Sequence, residues 1–72
     1  MLSTDDFVRV AVAGGGFTLD AQRFQVNDLV RIAVAASSKG ARVAIQNAQV
    51  ISINDLVRIA VAGKGAIFFE GL

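Results

Sequence analysis

Apolar and polar positions along this chain fall into one pattern three times over. The stretch Asn27-Asp28-Leu29-Val30-Arg31-Ile32-Ala33-Val34-Ala35 recurs unchanged as Asn54-Asp55-Leu56-Val57-Arg58-Ile59-Ala60-Val61-Ala62. A conservative version stands at Asp5-Asp6-Phe7-Val8-Arg9-Val10-Ala11-Val12-Ala13. In each, apolar residues return at i, i+3, i+4 and i+7, the spacing that lines one face of a helix. These are Phe7, Val10, Ala11 and Gly14, then Leu29, Ile32, Ala33 and Ala36, then Leu56, Ile59, Ala60 and Gly63. The Ala and Gly positions allow close approach to whatever the helix covers. A second apolar stripe, Val8 and Val12, Val30 and Val34, Val57 and Val61, runs along the flank of each helix.

Start and stop signals bracket the three stretches. Ser3, Gln25 and Ser52 fall at the N-cap, with Asp6, Asp28 and Asp55 three residues later. Ser-x-x-Asp approximates a capping box, in which side chains satisfy the orphan N–H groups and a carboxylate faces the positive helix end. Gln25 is the weakest of these caps. Leu2, Phe24 and Ile51 just before the cap, with Phe7, Leu29 and Leu56 just inside, form hydrophobic staples. Gly14-Gly15-Gly16, Ser37-Ser38-Lys39-Gly40 and Gly63-Lys64-Gly65 end the helices, because Gly accepts a left-handed C-terminal turn.

After each stop the period changes from helical to alternating. Phe17-Thr18-Leu19-Asp20-Ala21 and Ala41-Arg42-Val43-Ala44-Ile45-Gln46 read as half-buried strands, the second with Ala41, Val43 and Ile45 on one face. With Ala66 aligned on Ala41, the third strand, Ala66-Ile67-Phe68-Phe69-Glu70, places Ile67 and Phe69 on the face that Arg42 and Ala44 occupy. Strands separated by helices pair in parallel through crossovers that leave the helices on one side. The expected fold is α/β: three helix–strand repeats forming a short solenoid, a three-stranded parallel sheet in order 1-2-3 with the helices on one face. The whole chain, 1–72, is one domain, with units at about 2–23, 24–50 and 51–72. Asp6 to Asp28 spans 22 residues and Asp28 to Asp55 spans 27, so five extra residues are expected around Gln46 to Val50. Identity this extensive marks a recent duplication or a designed consensus. The Leu-x-x-Leu-x-Leu-x-x-Asn signature of leucine-rich repeats is missing, and tetratricopeptide and ankyrin periods are longer.

Composition sharpens this picture chiefly by exclusion. With 72 residues, no Cys and no His, neither disulfides nor the common zinc sites are open to the chain. Yet 54% of residues are apolar and mean hydropathy is +0.59, high for so small a domain. Surplus apolar surface needs cover, and a second copy of the chain supplies it most simply. Net charge is +1, without a basic tail. No apolar run reaches membrane-spanning length and the start lacks the form of a signal peptide, so a cytoplasmic location is the default expectation.

Candidate chemistry is sparse. The Gly-rich turns follow helices, whereas phosphate-binding loops precede them, so helix-ending turns are expected here. Lys39 and Lys64 then complement the negative helix ends. Arg9, Arg31 and Arg58 occupy equivalent outward positions and form a possible nucleic-acid row. Each has an Asp three residues earlier, and Tyr and Trp for base stacking are absent, which favours an ion-paired face. Without His, Cys or Tyr, acid–base catalysis would fall to carboxylates or Lys. Of the six acids, Asp20 alone has no structural role in view, and no second acid is placed beside it. The chain is therefore expected to be no enzyme, with no cofactor, metal or membrane association. The expected function is a repeat scaffold or protein-interaction module, self-associating as a homodimer or presenting a face to a protein partner, or else a designed or excised piece of a longer array. Its contact residues are expected to be Ile67, Phe69 and Leu72 of an unguarded last strand, Val57 and Val61 of a terminal helix flank, and Arg42 of the open sheet face.

Overall fold

Each helix begins where its cap chemistry begins. In the computed structural model, which describes residues 2–72, the Asp6 amide donates to Ser3 Oγ at 3.2 Å and the Ser3 amide donates to Asp6 Oδ2 at 3.0 Å. This complete capping box opens helix α1, Thr4–Val12. Ser52 opens helix α3, Ile53–Gly63, by accepting from the Asp55 amide at 3.3 Å. Helix α2, Val26–Lys39, starts at Gln25 with no side-chain capping bond, as the weak cap implies. Of the three staple residues, Ile51 is buried and Phe24 half-buried, while Leu2 stays exposed.

Between the helices run strands β1 (Phe17–Asp20), β2 (Val43–Gln46) and β3 (Ile67–Phe69), which form one parallel sheet in the order β1-β2-β3. A single 3₁₀ turn follows each of the first two strands, at Ala21–Arg23 and Ala48–Val50. The molecule is thus a small α/β domain with three helices layered on a three-stranded parallel sheet. Leu29, Ile32, Val43, Ile45 and Ile59 are the largest fully buried side chains, drawn from α2, β2 and α3. Burying each contributes roughly 1.5–3 kcal/mol relative to leaving it in water. Among the described residues no polar or charged side chain is buried.

The register corrects the sequence reading of the last strand. Val43 pairs with Ile67, Ala44 with Phe68 and Ile45 with Phe69. Ile67 and Phe69 therefore share the helix-covered face with Val43 and Ile45, and both pack half-buried against the core. Phe68 lies on the open face instead. The reason is which residue takes the left-handed conformation at the helix end. Gly14 (φ 94°) and Gly40 (φ 67°) are the first to take it after α1 and α2, but after α3 Lys64 (φ 50°) already takes it, one position ahead of Gly65 (φ 89°). Measured from that residue, the first ladder position always comes three residues later: Phe17, Val43 and Ile67. Aligning the glycines slips the third strand by one residue, and a one-residue slip exchanges its faces.

The five extra residues are also distributed differently from expectation. Helix α2 has 14 residues against nine in α1 and 11 in α3, so most of the added length is a further helical turn. Ser37 and Ser38 belong to that turn, where their hydroxyls donate to the Val34 and Ala35 carbonyls at 2.7 Å. After β2 only one residue is added, Asn47, in the left-handed conformation (φ 58°) that initiates the following 3₁₀ turn.

Candidate interaction surface

The flanks of the three helices carry nearly the same residues in different surroundings. Val8 and Val12 of α1 face a groove completed by Arg31, Val34, Ala35 and Ser38 of α2. α1 packs against α2 and α2 against α3, and Val30 of α2 lines the same groove. Val8 and Val30 are half-buried there, while Val12 and Val34 stay exposed. On α3 the corresponding flank has no cover among the described residues. Ile53 is 71% exposed and Val57 is exposed as well, whereas their counterparts on α2, Val26 and Val30, are half-buried; Val61 is 70% exposed against 54% for its counterpart Val34. Ala60 is exposed, while its counterparts Ala11 and Ala33 are fully buried. Three large aliphatic side chains at i, i+4 and i+8 make a continuous ridge on a helix.

The opposite end of the domain is open in the complementary sense. Val10 of α1 is 39% exposed although its counterparts Ile32 and Ile59 are buried, and Leu2 and Ala13 beside it are exposed too. Aromatic residues finish the interior at this end. The Phe7 ring lies 5.0 Å from Phe17 and 5.7 Å, edge-on, from Phe24. Each of these stands where the other motifs carry Val, Leu or Ile.

The sequence-derived contact residues separate on this surface. Val57, Val61 and Leu72 are exposed, and Arg42 lies on the open sheet face. Ile67 and Phe69 are not on that face, for the register reason above. Phe68, absent from the expected set, is 46% exposed there, with the Arg42 guanidinium 5.7 Å above its ring. Thr18, Ala44 and Glu70 surround this pair in a shallow depression. Ile53 is the other residue that sequence reasoning passed over. It precedes the identical block, so the repeat alignment gave it no partner, although it stands four residues before Val57.

The arginines Arg9, Arg31 and Arg58 do not all pair within their own helices. Arg31 reaches across to Asp5 of α1 at 2.7 Å, and Arg58 meets Asp55 of its own helix at 3.4 Å. The residue corresponding to Asp5 one motif later is Asn27, which offers no charge to Arg58. The Arg58 carboxylate partner is therefore local. Asp20, the acid with no expected role, has a structural one. Its Oδ1 accepts from the Gln22 amide at 2.9 Å and from Asn47 Nδ2 at 3.1 Å, which fixes the turn after β1 to the turn after β2. Those two donors, the Gln22 amide first, hold its carboxyl below the usual value of 3.8.

No group of three or more His, Cys, Asp or Glu side chains gathers among the described residues, and none of their helices is long and apolar enough to cross a membrane. Compared with protein-family models, with curated proteins and with solved structures, the chain matches none.

Proposed function

We propose that the chain is a non-enzymatic scaffold of the short α/β solenoid kind, built from three helix–strand repeats, whose role is interaction and first of all self-association. One observation carries the reading: the uncovered ridge Ile53, Val57 and Val61 on α3, beside the free edge of β3. Exposed apolar patches of this kind mark interaction sites, and an open strand edge adds unpaired backbone groups to them. Solenoids finish their ends with polar capping units, and α3 carries aliphatic residues where such a unit would be polar. The nucleic-acid reading of Arg9, Arg31 and Arg58 draws less support, because Arg31 and Arg58 already engage carboxylates.

Sedimentation of the chain over a wide concentration range tests this proposal. The expected result is a weight-average mass that rises above the monomer and falls back when Val61 is replaced by Lys. A chain that stays monomeric at its solubility limit removes self-association from the reading. Binding to single-stranded RNA at low ionic strength that weakens steeply with salt would favour the arginine row instead.

A further inference from the structure

We propose that a second copy of this chain covers the α3 ridge with the outer flank of its α1, so that copies join head to tail. The inference rests on the self-association reading and specifies its geometry. Within one chain the same joint is already made twice. α1 packs on α2 and α2 on α3. At these two joints Val8 of α1 and Val26 and Val30 of α2 pack half-buried against the core, while Val12 and Val34, further along the same flanks, stay exposed. The α2 and α3 surfaces that make these joints derive from the identical blocks Asn27–Ala35 and Asn54–Ala62.

Two half-joints are left over, and they are complementary rather than alike. On α3 remains the flank that a following helix covers, with Ile53, Val57 and Val61 exposed. On α1 remains the flank that meets a preceding helix, with Leu2, Val10 and Ala13 exposed. The burial of Ile32 against the exposure of Val10, at equivalent positions, shows what that flank looks like when it is covered and when it is not. The sheet is open in the same way at both ends, because β1 and β3 each pair only with β2. A copy placed with its α1 on α3 sets its β1 parallel to β3, continuing both layers with the order already present. Such an interface is heterologous, so one contact leaves both outer ends open for the next copy.

Charged substitutions on each flank test the polarity of the joint. Val61→Lys blocks the α3 side and Ala13→Lys the α1 side, both at exposed positions in or just after a last helical turn, where a cation is well placed. Wild-type mass is expected to climb with concentration beyond the dimer. Each variant alone is expected to sediment as a monomer. Their equimolar mixture restores one good joint per pair, so its mass should double and then stop. Circular dichroism checks the fold, with Val57→Lys and Leu2→Lys taking over for any variant that loses it. Wild type that halts at the dimer and is indifferent to Ala13→Lys and Leu2→Lys overturns the head-to-tail geometry while leaving self-association standing. A mixture of monomeric variants that stays monomeric also overturns it. A monomeric wild type overturns both readings together.

Discussion

Gly63 and Lys64 show how much a single residue decides at a helix end. Gly63 is buried, and a Cβ added there would run into the Ile67 side chain. Gly63→Ala is therefore expected to destabilise the fold by about 1–3 kcal/mol through overpacking, despite the better helix propensity of Ala. Chemical denaturation at constant m-value checks this. A neutral or stabilising outcome would mean that Ile67 moves aside without loss. The carboxylates act at the same scale. Asp6, held low by the Ser3 amide and hydroxyl, and Asp20, held low by Gln22 and Asn47, both ionise more readily in the folded chain than in the unfolded one. Their contribution is present above the usual value of 3.8 and lost as pH falls through the lowered folded values. Thermal melts are expected to shift to lower temperature on acidification below about pH 4, and Asp20→Asn should flatten that dependence. An unaltered acid slope in the variant would remove Asp20 from the account.

The helices are the elements most legible in the sequence, because period, caps and staples all point to the same residues. Ser3, Ser52 and Gly40 stand at the boundaries that their chemistry implies. The strands are legible in existence, number and order, but the faces of β3 are not. Gly is the ordinary left-handed cap, so Gly65 attracts that assignment, and only the backbone reveals that Lys64, one residue earlier, is already left-handed. The further turn of α2 is hidden for a related reason: Ser37 and Ser38 read as turn residues, yet they bond back to their own helix. Helix-to-helix pairing is equally silent in a one-dimensional pattern. The bridge from Asp5 to Arg31 joins two helices across 26 residues, and exposed pairs of this kind contribute only about 0.2–1 kcal/mol. The absence of an acid at Asn27 suggests a direct experiment. Asn27→Asp should draw Arg58 across to α2 and stabilise the domain by up to about 0.5 kcal/mol. A double-mutant cycle with Arg58→Ala isolates that coupling, and a zero interaction energy in the cycle would count against the bridge.

At the scale of the whole molecule, the interior is complete and the ends are not. Core side chains of α2, β2 and α3 are fully buried, while aliphatic residues stand in water along all three helices, Ile53 and Val61 of α3 the most exposed of them. This much of the candidate site was readable in advance. Val57 and Val61 are marked by the second apolar stripe of the helix, but Phe68 and the inward turn of Ile67 and Phe69 required the register, and Ile53 required the helix packing. Because the uncovered ridge is apolar, the self-association proposed for it is expected to persist at high salt and to strengthen with sulfate. Loss of association on raising sodium chloride would instead assign it to charged groups.

The constant spacing from the left-handed residue to the first ladder residue has a consequence for how such a chain tolerates change in length. Turns added before that residue, as in α2, lengthen the helix and leave the sheet untouched. A single residue inserted after it would turn Ile67 and Phe69 outward and Phe68 inward, inverting the strand. Insertions on the two sides of one residue thus have opposite fates. Length is free to vary in the helices, while the three-residue interval behind each of them tolerates no change.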